Sequence, residues 1–318
     1  MKDDNGVHIG KLVASGDPQK EVHGRLWVSN TQIKELPSGL VVDGNLDISH
    51  TQTKELPSGL VVQGDLDASN TQIKELPSGL EVYGYLDISH TQIEKLPDDL
   101  KVYGSLWSSN TPLKELPSGV VVGGNLDVSN TQIKELPSGL EVYGYLDVTY
   151  TQIKELPSGL VVGGNLDASY TQLKELPDNL KVHGCLWVSN TQIKKLPDNL
   201  VVHGDLDINS APLKELPSGL EVYGDLKLNH TPLKELPDSL IIHGSLKLSI
   251  HLMRFTHNRL KIGCKLKTIK EWDEWFFGNE EFEEKRRLIE FRLIEFIDIK
   301  RGYILFRDYL IRTKRVLS

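Results

Sequence analysis

A period of twenty residues runs through most of this chain. The pair Leu-Pro recurs at every twentieth position from Leu36-Pro37 to Leu236-Pro237, eleven times. Gly recurs on the same period from Gly24 to Gly244, twelve times, and Leu follows each of these glycines two residues later. A unit of this length cannot bury its own apolar face, so the units must stack on one another. Within a unit, Leu40-x-Val42-x-Gly44-x-Leu46-x-Ile48 alternates with period two, which predicts one β-strand with a single buried face. Gly44 falls on the inward side of that alternation, where the missing side chain permits a bend or a close approach by the neighbouring coil. Ile33 and Leu36 and their copies supply the opposite wall of the core, and Ser, His, Thr, Gly and Asn residues mark the corners. The expected architecture is a β-rich solenoid of about twelve coils over residues 22–266 with a degenerate last coil. It is flanked by an N-terminal cap at 1–21 and a helical cap at 267–318.

The spacing Leu26-x-Val28-x-x-Thr31-x-Ile33-x-x-Leu36-Pro37 resembles the leucine-rich repeat, whose core reads L-x-L-x-x-N-x-L-x-x-L-P. Its length and its Leu-Pro pair are most similar to the short bacterial class. The likeness covers about 230 residues and departs from the pattern in two ways. Thr stands at the Asn position from Thr31 to Thr231, with Ala211 the exception, which turns the usual Asn ladder into a ladder of hydroxyls. The segment V-x-G-x-L also lengthens the strand, so a parallel β-helix is the alternative. The resemblance implies a ligand-binding solenoid and carries no activity with it. Residues 101–110 and 181–190 are near-copies eighty residues apart, which points to growth by duplication of four-repeat blocks.

In a stacked sheet each position of the repeat becomes a column on the surface. The outward positions hold Tyr83, Tyr85, Tyr103, Trp107, Tyr143, Tyr145, His183, Trp187, His203 and Tyr223. Interleaved with them are Asp87, Asp127 and Asp147, together with Asp47, Asp67, Asp167 and Asp207. Large aromatics beside acids have the composition of a recognition surface. Aromatic ladders also stabilise stacked sheets without any partner. The acid column decides for binding, because repulsion between coils has no structural benefit evident in the sequence. The expected function is therefore a non-enzymatic binding protein that presents this face to a protein partner, a basic one by charge complementarity. The alternative is a structural spacer or fibre component of a phage or cell surface. A third reading, an ice-binding solenoid, rests on the regular hydroxyls Ser29-x-Thr31 and Ser49-x-Thr51. Its competitor is a turn ladder in which those hydroxyls bond to backbone groups.

Other chemistries find no support. No phosphate loop, nucleophile elbow or zinc-protease helix occurs, and no cofactor is expected. His183, His203 and His243 form a flat ladder rather than converging ligands, so no metal is expected. Residues 1–250 carry a net charge of −13, which argues against nucleic-acid binding by the solenoid, whereas residues 251–318 carry +5. The two cysteines, Cys185 and Cys264, sit about four coils apart, too far for a disulfide. No stretch of eighteen apolar residues occurs and the start is acidic, so neither a membrane span nor a signal peptide is expected. The expected location is the cytoplasm of a bacterium or a phage-infected host.

Toward the C-terminus Leu260, Ile262 and Leu266 keep the register of the earlier coils. Thr268-x-x-Glu271 is a capping-box pattern and is expected to open the first of several helices. The set Ile262-Gly263-Cys264, Thr268 and Glu271-Trp272 resembles a C-terminal module that closes repeat proteins of gut bacteria and their phages, for which no function follows. Effector ligases with short leucine-rich repeats carry a much larger catalytic domain, so Cys264 is not assigned a nucleophilic role.

Overall fold

The computed structural model describes residues 20–248 apart from 121, 235 and 238, and the backbone of 253–256, 259–262 and 265–268. Of the expected N-terminal cap at 1–21, residues 1–19 lie outside the described residues, as do Cys264 and the helices expected after Thr268, while Lys20–Val22 forms a strand paired parallel with Leu40–Val42. The chain divides into two compact units, Met1–Gln192 and Ile193–Ser318.

In the first unit the repeat builds a β-solenoid of parallel strands. Each strand pairs with its copy twenty residues away, so that Leu46 faces Leu66, Leu66 faces Leu86, and Leu106 is flanked by Leu86 and Leu126. The columns inferred from the sequence are therefore real columns. The core is lined by the leucines and valines of the strands and by the third wall, with Leu46, Ile48, Val62 and Ile73 each at most 1 % exposed. That third wall is tied coil to coil by single backbone bonds such as Gln92 N–H to Ile73 C=O at 2.9 Å. No helix occurs among the described residues.

The single strand expected over Leu40–Ile48 is instead two, Leu40–Val42 and Leu46–Asp47, belonging to two different sheets. The break falls at the glycine. Each glycine of the column donates its N–H to the glycine carbonyl of the coil before it, at 2.9–3.1 Å from Gly64 to Gly184. At Gly104 an added Cβ would stand 2.5 Å from Gly84 O and 2.6 Å from Gly84 C. Space, rather than backbone conformation, is what demands glycine here. The chain bends where backbones of adjacent coils touch, and period-two alternation is the same in a straight strand and a bent one. The sheet before the bend is interrupted around Val122, which keeps only isolated bridges to Val102 and Val142. The sheet after the bend continues through every coil of this unit.

After the second strand the chain turns through a left-handed residue, with φ of 53–58° at Asn30, His50, Asn70 and their equivalents through Asn190. The threonine that follows lies in the turn. Its Oγ1 donates to the carbonyl three residues back, at 2.5–2.8 Å from Thr31 to Thr191. The hydroxyls therefore form the turn ladder expected from the sequence, each bonded to a backbone carbonyl of its own coil.

The second unit repeats the pattern, with Val201–Val202, Glu221–Val222 and Ile241–Ile242 in one parallel sheet and Leu206–Asp207, Leu226–Leu228 and Leu246–Leu248 in another. Beyond it, Met253–Thr256, Arg259–Ile262 and Lys265–Thr268 pair antiparallel. This pairing differs from the parallel register that Leu260, Ile262 and Leu266 suggest. Two-residue links at 257–258 and 263–264 leave no chain for the return path that parallel neighbours need.

The glycine contact predicts a sharp contrast. Gly104→Ala should destabilise the protein by about 1–3 kcal/mol, the usual range for overpacking a rigid site. Gly119→Ala, where an added Cβ meets nothing within 4 Å, should fall within about 0.5 kcal/mol of the parent. Urea denaturation of the two variants checks both.

Candidate binding face

The bend divides the outward residues into two strips. Before it lies the column that holds Tyr83, Tyr103, Tyr143 and His183 in the first unit and His203 and Tyr223 in the second. These tyrosines are exposed, at 50 % for Tyr83, 52 % for Tyr103 and 66 % for Tyr143. They also stack. Tyr83 and Tyr103 lie 4.9 Å apart at 19°, and in the second unit Tyr223 sits between His203 at 5.6 Å and His243 at 4.5 Å.

After the bend come two columns with regular structural work. At the position of residues 45, 65 and 125, an Asn or Asp side-chain oxygen accepts the backbone N–H of the next coil. Asn45 takes Asp65 N, Asp65 takes Tyr85 N and Asn125 takes Tyr145 N, at 2.8–3.1 Å. Tyr85 and Tyr145 occupy this same column. Two residues further on is the acid column. The Oδ1 of Asp47, Asp67, Asp87, Asp127, Asp147 and Asp167, and of Asp207 in the second unit, accepts the N–H two residues ahead at 2.8–3.0 Å. The acid column therefore has the structural benefit that the sequence does not reveal. Each carboxylate closes the strand end, as an Asx turn does. Trp107 and Trp187 occupy this column and have no acceptor to offer.

The aromatics of these inner columns are half-buried and contact one another. Tyr85 covers Trp107 with centroids 4.8 Å apart at 30°. Tyr145 meets Trp187 across two coils at 6.3 Å and 68°, and its hydroxyl donates to Asp147 Oδ2 at 2.9 Å. The local field is negative. Burial, followed by the charges of Asp65, Asp67, Asp87 and Asp47, pushes the Tyr85 phenol above its ordinary range. Burial and Asp147, with Asp167 and Asp127 behind it, do the same to Tyr145 more strongly. The Asp87 carboxyl is also raised, by burial first; its bonds from Ser89 oppose the shift, and Asp67 and Asp127 add to it.

One aromatic pair escapes the strand-alternation reading. Tyr150 and Tyr170 stack at 4.7 Å and 9°, exposed, at the left-handed turn where other coils carry Asn, His or Ser. Their φ values of 56° and 58° are unfavourable for a bulky side chain. The signal in the sequence was a tyrosine at a turn position that favours Asn. The threonine hydroxyls are turned inward, with Thr51, Thr91 and Thr151 at most 5 % exposed. The surface array on which ice binding depends is therefore missing its threonines. Exposed pairs such as Lys114 with Glu94 and Lys95 with Glu115 line two adjacent columns and contribute little. Among the described residues no three His, Cys, Asp or Glu side chains are placed to hold a metal, and no helix is long and apolar enough to cross a membrane.

No family model matches the sequence and no curated protein is similar to it. Among solved structures the chain is similar to YopM, a leucine-rich effector protein from Yersinia pestis, at 19 % identity and a TM-score of 0.40 over 70 % of this chain and 81 % of that one. It is also similar to YopM from Yersinia enterocolitica WA-314, at 20 % identity and a TM-score of 0.25 over 71 % of this chain and 78 % of that one. Neither likeness assigns a role to any residue here.

The acid column makes a pH-dependent prediction. A raised folded-state carboxyl contributes stability that is present below its ordinary titration range and lost as pH rises through the raised value. Ionised Asp87 therefore opposes folding at neutral pH. Asp87→Asn keeps an oxygen for Ser89 N–H and removes the charge. Its melting temperature should exceed that of the parent at about pH 7, and the gain should vanish at about pH 3 where the parent residue is itself neutral.

Proposed function

We propose that this protein is a non-enzymatic binding scaffold, and that its outward aromatic and acidic residues hold a protein partner of basic character. The observation that carries this reading is a set of forgone hydrogen bonds. At 85 and 145 a tyrosine stands where other coils place an acceptor for the next coil. At 107 and 187 a tryptophan stands where other coils place the aspartate that closes the strand. Each replacement gives up a bond worth about 1 kcal/mol. Rings in those places, beside Asp87, Asp127 and Asp147, and with exposed Tyr83, Tyr103 and Tyr143 across the bend, have the make-up of a protein-binding hot spot. The negative field around Tyr85 and Tyr145 favours a cationic partner.

A second reading, a structural spacer, is favoured by the coil-on-coil stacking of Tyr83 on Tyr103 and Tyr150 on Tyr170, which strengthens a rod without any ligand. The two separate in one experiment. The protein is used for affinity capture from its native host, beside a variant carrying Tyr83→Ala, Tyr103→Ala and Tyr143→Ala. A hot-spot aromatic is worth about 2 kcal/mol or more, so the triple variant should bind the captured partner at least roughly tenfold more weakly. Retention at parental affinity, together with a lowered melting temperature, would instead mark the tyrosines as rod-stabilising only.

A further inference from the structure

Tyr150 and Tyr170 lie beyond the strand columns, at the turns that follow Leu146–Asp147 and Leu166–Asp167 on adjacent coils. Those strands are in direct register, Leu146 against Leu166 and Asp147 against Asp167. Both tyrosines hold the same left-handed backbone, with φ of 56° and 58°. Side chains that leave equivalent turns one coil apart run side by side, and the two rings stack 4.7 Å apart at 9°. That separation matches the ~4.8 Å spacing of paired strands, so the phenol oxygens and the ring carbons beside them lie level. Both residues are open to solvent, at 58 % for Tyr150 and 50 % for Tyr170. Elsewhere this column ties coils through short polar side chains, as where Asn130 Nδ2 donates to Asn110 Oδ1. The tyrosines give up such a bond and accept a backbone conformation that bulky residues disfavour. What they place there instead is one exposed phenol against another.

We propose that Tyr150 and Tyr170 are a modification site, at which one-electron oxidation joins adjacent coils through a dityrosine. The co-reactant is a one-electron oxidant of the peroxidase class that consumes hydrogen peroxide. Each phenol gives up one electron and its hydroxyl proton, which leaves two neutral phenoxyl radicals with spin on the ring carbons beside the oxygen. One such carbon from each ring pairs to form a single C–C bond. Each coupled carbon then loses its hydrogen as a proton, and one proton returns to each oxygen. In sum two ring C–H bonds break, and two electrons and two protons leave the protein. Hydrogen peroxide takes them up and becomes two molecules of water. Rotation about χ1 and χ2 of the exposed side chains closes the remaining gap. Other tyrosines show what the site requires. Tyr143 is 66 % exposed but has Gly123 and Gly163 on the coils either side, and Tyr223 has His203 and His243. Tyr83 and Tyr103, at 4.9 Å and 19°, stack less squarely and are a second pair of the same kind. The chemistry at Tyr150 and Tyr170 is independent of the binding reading above, whose residues lie elsewhere on the coil.

The test treats the full chain with a haem peroxidase and limiting hydrogen peroxide, at a dilution that keeps molecules apart. The monomer is then isolated, digested with trypsin and read by mass spectrometry. It should be lighter by two hydrogens for each link, and peptides 135–154 and 155–174 should appear joined through Tyr150 and Tyr170. Two variants keep the fold in different ways. Tyr150→Phe retains a ring for stacking and lacks the hydroxyl that yields the radical. Tyr150→Asn restores a residue that the same turn carries at Asn110 and Asn130. Both should lose this link while their circular dichroism stays that of the parent. A covalent tie between residues twenty apart restricts the unfolded chain, as cross-links of that loop length do. The oxidised parent should therefore melt higher than the untreated protein, and by a larger margin than Tyr150→Phe treated in the same way. Absence of the link between 150 and 170, whether or not dityrosine forms between molecules, overturns the site. So does linkage of Tyr143 as readily as Tyr150, since that would mark random encounter rather than placement by the register.

Discussion

The twenty-residue register between coils is the constraint from which the other features follow. Parallel pairing sets each coil about 4.8 Å from the next. The glycine column then brings backbone against backbone, with an N–H donated from each glycine to the one before. A side chain at that column would collide with the preceding coil, so the bend, the two-sheet cross-section and the straight surface columns share one cause. Hydrogen bonds from side chains follow the same period. An Asn or Asp oxygen reaches the next coil, an Asp closes its own strand, and a Thr closes its own turn. Few coil positions are left without a repeated job, and departures from the repeat therefore stand out.

Those departures are what give the surface its character. Tyr85, Tyr145, Trp107 and Trp187 each displace a residue that makes a structural hydrogen bond elsewhere, while Tyr150 and Tyr170 occupy a left-handed turn that suits Asn. Some of the loss is made good locally by ring stacking and by the Tyr145 to Asp147 bond. The acid column has two consequences at once. Its Oδ1 atoms stabilise strand ends, and its charge makes the half-buried aromatics sit in a negative field, so a structural device also biases the surface toward cations. Asp87 shows the cost of this arrangement, since burial holds its carboxyl above the ordinary range.

Much of this was legible from residue spacing. The parallel stack, the core leucines and the surface columns follow from period twenty and period two alone. The bend at Gly44 did not, because alternation reports which side a residue faces and is blind to the direction of the chain. The work of Asp47 and its copies was hidden because a carboxylate bonding two residues ahead looks the same in sequence as a solvated one. Thr51 and its copies bond to backbone carbonyls, as the turn-ladder reading of the sequence expects, and the left-handed residue before each threonine turns its hydroxyl back onto its own coil. Tyr150 and Tyr170 were missed because they lie at a turn, beyond the reach of strand alternation. The antiparallel pairing of 253–268 was masked by Leu260, Ile262 and Leu266, whose spacing imitates the repeat while the links between strands are too short for it.

The claim that register between coils organises everything else is tested most directly by deletion. Removing residues 47–66 takes out one full period and brings like columns together, whereas removing residues 47–56 takes out half a period and sets strand against turn. The measurement is cooperative thermal unfolding followed by far-ultraviolet circular dichroism. The full-period deletion should keep the β-rich spectrum and a single cooperative transition, with stability lowered by about one coil's share. The half-period deletion should lose cooperativity. Equal tolerance of the two deletions, or equal collapse, would contradict an architecture built on the twenty-residue register.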